Sequence, residues 1–315
     1  DHIWAREFKG EWADIFKIRA DISKMLAEEL KISLSPEEKE LIEKIPTASL
    51  SAYDVFQRGN EQYIKYLNNP NDFEALEEAK DYFRRALQLD PEYAQVYARL
   101  AGIYFIENRM SNEFFGKNYL DSARYFAEKA LKYDNETSEA LVVMGDYYRE
   151  NGNLEQALKE YNDALKINPN SWEAYRGKAH VYRDDDNLAF IENALKASDL
   201  TRGTERLVIE KDLMTIYSYC GIFDLARSLV GEYLELTGDT FSYLAGMGVI
   251  ERLNLDYERS NKYLEVAYRI DTSRSKISSD FSILIFLAEN YMMMGLHKES
   301  LYYYQKFLTV LETHK

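Results

Sequence analysis

One cysteine, Cys220, stands among 315 residues, so neither an internal disulfide nor a multi-cysteine zinc site can form. That scarcity does not fix the compartment, because cysteine-poor chains occur on both sides of a membrane. With 5 prolines and 14 glycines the chain is poor in the residues that punctuate a turn-rich all-β fold. A basic excess is also missing. There are 39 Lys and Arg against 54 Asp and Glu, a formal net charge of -15, which argues against nucleic-acid binding by this chain. Long apolar runs are absent. Stretches such as Leu213–Phe223 and Thr240–Ile250 stay uncharged for eleven residues, too short to span a bilayer. No signal-peptide pattern is visible, and the chain opens at Asp1 in mid-pattern, as a piece of something longer would.

Catalytic constellations are equally scarce. His2, His180, His297 and His314 lie far apart without metal-ligand spacing, and no nucleophile elbow, phosphate loop or dinucleotide fingerprint is present. The expectation is a non-enzyme without cofactor or metal. Asp184-Asp185-Asp186-Asn187 lacks the glycine and closing glutamate of a calcium loop and reads as a solvated turn. Cys220 reads as a partly buried structural thiol. Of Met292-Met293-Met294, at least one is expected to face the core, the others offering an adaptable surface. Asn135-Glu136-Thr137 is a formal glycosylation triplet.

What is abundant is apolar and aromatic: 46% hydrophobic residues, with 26 tyrosines and 15 phenylalanines. They recur with a period. The clearest unit, Ser138–Ser171, spans 34 residues, with Leu141, Met144, Gly145, Tyr148, Leu154, Ala157, Tyr161, Ala164 and Pro169 at helical spacing. Asn151-Gly152-Asn153 breaks the pattern between two helices, and Asn168-Pro169 ends the second. This unit resembles the tetratricopeptide repeat. The register recurs upstream from Ala52 and downstream to the chain end, as seven helix pairs. Insertions are expected around Lys65–Asp72 and within Glu107–Tyr119, the second being either a contact loop or tolerated length. The resemblance implies an all-α, right-handed superhelix of about seven pairs, in which stacked neighbours bury a shared core. The tyrosines are expected in that core, with hydroxyls at its rim.

Asp1–Leu50 is no repeat and reads as an N-terminal helical cap, residues 1–50, ahead of a repeat domain at 51–315. An amphipathic helix is expected over most of Trp12–Leu30 and a second from Ser35-Pro36 to about Glu43. Trp4, Phe8 and Trp12 are expected to pack on the first repeat or to leave an apolar patch. The run HIWAREF, DIFKIRADISKMLAEEL, SPEEKELIEKIPT, SAYDVFQRG is similar to the segment joining a TolB-like α/β domain to tetratricopeptide repeats in bacterial class III adenylate cyclases and membrane-anchored transcriptional regulators. That resemblance makes His2-Ile3-Trp4 the tail of a strand and implies a periplasmic location, the cytoplasm being the alternative.

The resemblance implies protein or peptide binding along the first helix of each pair. In that register Phe56, Asn60, Tyr63, Arg99, Phe105, Asp146, Arg149, Arg176, His180 and Arg183 are the groove positions. Arg149, Arg176, His180 and Arg183 form a basic set suited to a partner with acidic segments. Asn60 fits the family's carboxylate clamp, whereas Glu139 and Val143 stand where it would want a base or an amide. The alternatives are that acidic neighbours such as Glu139, Glu173 and Asp184–Asp186 neutralise these arginines, or that the chain is a spacer or oligomerisation arm. Its oligomeric state is left open.

Overall fold

The computed structural model describes residues 14–29, 36–69, 72–111, 119–272 and 277–313, and among them every regular element is a helix. The chain divides into two compact units, Asp1–Pro169 and Asn170–Lys315.

In the first unit α1 (Ile15–Glu29) packs on α2 (Pro36–Glu43). The stripe expected over Trp12–Leu30 is α1, with Phe16, Ala20 and Ala27 buried. Trp4, Phe8, Trp12 and the expected cap Ser35 lie outside the described residues. Phe16 meets Tyr53 edge-on at 4.8 Å, and Lys44 pairs with Asp134 at 2.8 Å and Glu136 at 3.0 Å. Three antiparallel pairs follow: α3 (Leu50–Asn68) with α4 (Phe73–Leu89), α5 (Ala94–Ser111) with α6 (Leu120–Tyr133), and α7 (Ser138–Glu150) with α8 (Leu154–Ile167). Each pair packs on the next through α4 with α5 and α6 with α7, and the first helices α5 and α7 also touch.

The second unit holds four pairs: α9 (Trp172–Val181) with α10 (Asn187–Leu200), α11 (Thr204–Tyr219) with α12 (Phe223–Thr237), α13 (Thr240–Leu253) with α14 (Tyr257–Thr272), and α15 (Ile277–Met293) with α16 (His297–Thr313). The seven expected pairs are therefore present in the expected phase. The expected insertions begin as helix. Helix α3 runs on through Asn68 and α5 through Ser111, while residues 70–71 and 112–118 lie outside the described set.

Local chemistry sets the helix ends. Ser49, Asp72, Asn153, Ser171, Asp186 and Asp239 each cap a helix, the side chain accepting from a backbone N–H three residues on. One left-handed turn closes four first helices, at Gly152, Gly221, Leu255 and Gly295, with φ between 62° and 75°. Leu255 takes that conformation without being glycine, a position the sequence pattern does not mark. The tyrosines follow the expectation only in part: Tyr66, Tyr93, Tyr161 and Tyr217 are buried, whereas Tyr125, Tyr219 and Tyr302 are exposed. Tyr104 stacks on Phe126 at 5.1 Å and Tyr291 on Tyr303 at 5.5 Å, while Tyr97 donates to the Pro91 carbonyl and Tyr291 to Glu265 Oε1.

Within a pair, the closest approach is a small residue on the first helix against a large side chain from the second. A Cβ added at Gly145 would lie 2.5 Å from the Tyr161 ring, at Gly59 2.6 Å from Phe83, and at Gly248 2.5 Å from Leu264. Tyr161 is fully buried and its hydroxyl donates to Asp146 Oδ1 at 2.8 Å, so the ring is held at both ends. Gly102, also within a first helix, has nothing within 4 Å of such a Cβ. Gly145→Ala is therefore expected to destabilise by about 1–3 kcal/mol through overpacking, and Gly102→Ala to stabilise by about 1 kcal/mol through helix propensity. Urea midpoints of the two variants measure both. Equal shifts of the same sign would contradict the packing argument.

Candidate functional site

In the first unit the inner face of α3, α5 and α7 closes on a pocket of about 150 Å³. Its wall includes Gln57 and Asn60 from α3, Gln95 and Arg99 from α5, Glu139 from α7, and Arg19 from α1. Spacings of three and four residues put Gln57 with Asn60, and Gln95 with Arg99, on one side of their helices. Among the described residues Gln57, Asn60, Gln95 and Glu139 make no side-chain hydrogen bond, and Arg99 pairs with no carboxylate; its guanidinium lies 5.9 Å from the centre of the Tyr63 ring. Arg19 donates to the Lys44 carbonyl at 3.1 Å. The pocket thus gathers two guanidinium groups, three amides and one carboxylate.

Two expected groove residues are core instead. Phe56 is 5% exposed, packed against Phe83 at 5.7 Å and Tyr93 at 5.0 Å, and contributes only the pocket floor. Phe105 is 8% exposed among Ala101, Ala123 and Ala127. Burying such a ring is worth about 1.5–3 kcal/mol, so a first-helix phenylalanine turns inward where small neighbours leave room. Asp146 accepts from Tyr161 at 2.8 Å and from Arg149 Nη2 at 3.2 Å, and Arg149 also pairs with Glu150 at 2.9 Å. Burial opposes the Arg149 charge, but Asp146 holds the guanidinium firmly protonated.

In the second unit Arg176 and His180 on α9 converge on Asp212 of α11. Arg176 Nε donates to Asp212 Oδ2 at 2.7 Å, and His180 Nε2 lies 3.0 Å from the same oxygen. Arg183 Nη2 contacts His180 Nδ1. A guanidinium can only donate, so Nδ1 accepts and the proton sits on Nε2, where it donates to Asp212. Burial pushes the His180 pKa below its ordinary 6.5, against the pull of Asp212. Burial raises that of Asp212, but the His180 hydrogen bond and the Arg176 charge outweigh it and hold the carboxyl at about 2. The arginines are neutralised in part, as the alternative expectation had it, and Asp146, Glu150 and Asp212 are among the carboxylates that do so. Asp212 escaped the sequence reading because it belongs to the next first helix; the repeat register is the signal that finds it. Gln57 and Gln95 are legible from helical spacing. Arg19 is not, since α1 lies outside the repeat.

Three further expectations are settled. Cys220, the C-terminal cap of α11, is exposed rather than partly buried. Met292 and Met293 end α15, Met294 follows it in the turn, and all three are exposed. Asp184 and Asp185 lie in a turn, Asp186 caps α10, and Asn187 opens that helix. Among the described residues no three His, Cys, Asp or Glu side chains are placed to hold a metal ion, and no helix is long and apolar enough to cross a membrane.

A neutral, Nδ1-accepting His180 is a measurable state. Because its folded pKa lies below the unfolded value, its contribution to stability is present above about pH 6.5 and is lost as pH falls through the folded value. An NMR titration of the free chain should find His180 titrating below its ordinary value, with Nε2 protonated in the neutral form. Arg183→Ala should raise its pKa by removing the donor on Nδ1. A titration at or above the ordinary value, unchanged by Arg183→Ala, would contradict the assignment.

A family profile described as TPR repeat matches residues 145–184, and one described as tetratricopeptide repeat matches 74–93. No curated protein matches the sequence. Among solved structures, the chain resembles Pseudomonas aeruginosa pilF, with 15% identity, a TM-score of 0.51, and 67% of this chain and 88% of that chain covered. It resembles PilW, a widely conserved type IV pilus biogenesis factor, with 17% identity, a TM-score of 0.52, and 66% of this chain and 98% of that chain covered. A tetratricopeptide repeat protein from Parabacteroides merdae matches at 14% identity and a TM-score of 0.50, covering 82% of this chain and 93% of that one. At these identities the likeness concerns the fold alone. The chain carries tetratricopeptide repeats on an all-α framework, a scaffold typical of protein–protein interaction.

Proposed function

We propose that the chain is a protein- or peptide-binding scaffold in which the first-unit pocket takes a carboxylate, either a chain end or an acidic side chain. One observation carries the reading: Arg99, Gln57, Asn60 and Gln95 converge on one pocket with their hydrogen-bonding capacity unused among the described residues. A guanidinium matches a planar carboxylate, and the amides suit the peptide groups beside it. At about 150 Å³ the pocket is below the roughly 300–1,000 Å³ typical of small-molecule sites, which favours the end of a longer ligand. The wider role, the interaction part of a larger bacterial signalling or regulatory protein, is supported by the N-terminal sequence resemblance. A spacer is the competing reading, favoured by the closed ion pairs of Arg149 and Arg176.

Fluorescence anisotropy with acidic peptides, each made as free acid and as C-terminal amide, tests the proposal. Arg99→Ala is expected to weaken binding at least tenfold, about 1.4 kcal/mol, with unchanged helix content. Arg183→Ala, at an exposed second-unit position, should leave it within about twofold. Binding by no peptide would favour the spacer, and binding indifferent to Arg99 would remove the pocket from the site.

A further inference from the structure

The second unit holds a larger and chemically different cavity, of about 410 Å³, between its first helices α11, α13 and α15, with Leu229, Val230 and Tyr233 of α12 and Leu264 of α14 in its wall. Met214, Ala245, Val249 and Phe286 give it an apolar wall, and its charged lining residues are Glu210 and Lys211. They do not form an ion pair. Lys211 is exposed, whereas Glu210 is 3% exposed. Arg206 Nε donates to Glu210 Oε1 at 2.6 Å, while Glu210 Oε2 is buried and has no hydrogen-bond partner among the described residues.

A buried carboxylate oxygen without a donor is a site waiting for one, because desolvation has been incurred and no hydrogen bond offsets it. An apolar cavity of this volume with one such anchor is what a small ligand site requires. From these observations we infer that the cavity binds a small organic cation: an apolar, preferably aromatic, body carrying one ammonium group. The body fills the space beside Phe286 and Met214, and the ammonium donates to Glu210. The chain's net charge of -15 favours a cation over an anion in the same place. Phe286 also offers a π-face, although Arg252 already lies 5.0 Å from its centre. The inference is independent of the peptide site, which lies in the other unit.

Isothermal titration calorimetry with three probes of one shape tests it on the unmodified chain: 2-(1-naphthyl)ethylamine, 2-(1-naphthyl)ethanol and 1-naphthaleneacetate. The amine is expected to bind at least tenfold more tightly than the alcohol, and the acetate to bind least. Glu210→Gln should bring the amine down to the alcohol, and Ala245→Phe, which fills the cavity, should abolish binding of both. Arg99→Ala should change neither. Equal binding of amine and alcohol would show a site that reads only the apolar body and would overturn the role of Glu210. Preference for the acetate would assign the site to Lys211 and overturn the cation. Absence of any binding by the unmodified chain would overturn the cavity as a site, whatever the stability of the variants.

Discussion

The contact on which the rest depends is that between a residue without a side chain and a large one. Gly145 against Tyr161, Gly59 against Phe83 and Gly248 against Leu264 bring the two helices of a pair together where even one added carbon would collide. In these three pairs that contact sets the rotation of the first helix about its axis. Once the glycine faces the second helix, residues three and four positions away are committed to the neighbouring pair or to the inner face. Alanines fully buried on second helices, such as Ala79, Ala157 and Ala267, keep the approach close. The inner face is thus a by-product of packing, and its chemistry is free to vary from pair to pair.

It varies in a consistent way. In the first unit, donors on α3 and α5 are left unused around a small polar pocket. In the second, Arg176, His180 and Asp212 satisfy one another, and further along the face gives way to an apolar cavity. An arginine locked to a carboxylate has little left to offer a partner, and removing one member of a buried pair leaves the other charge uncompensated. Arg176 is therefore committed to Asp212, whereas Arg99, with a ring beneath it and no carboxylate paired with it among the described residues, keeps its fork available.

The helices and their pairing were legible because they are written locally. Ser138–Ser171 states its two stripes, its Asn-Gly-Asn turn and its Asn-Pro stop within one repeat, and Asn153 and Asn168 cap the two ends of the second helix it implies. What escaped depends on partners far away in sequence or on competition between fates. Asp212 is 36 residues from Arg176. Arg19 reaches the pocket from a helix outside the repeat. Phe56 and Phe105 occupy groove register, but their rings gain more from the core. Leu255 stands at a left-handed turn where three other pairs place glycine, and only the backbone reveals it.

Whether the first-unit donors are unspent in the free chain can be read directly from the exchange of arginine Nε protons with water, by NMR of chains labelled at arginine. Nε of Arg176, 2.7 Å from Asp212, and of Arg227, 3.0 Å from Glu251, should exchange slowly. Nε of Arg99 should exchange at the rate of a solvated guanidinium. Slow exchange at Arg99, equal to that at Arg176, would mean that its donors are already engaged and would contradict an open carboxylate site.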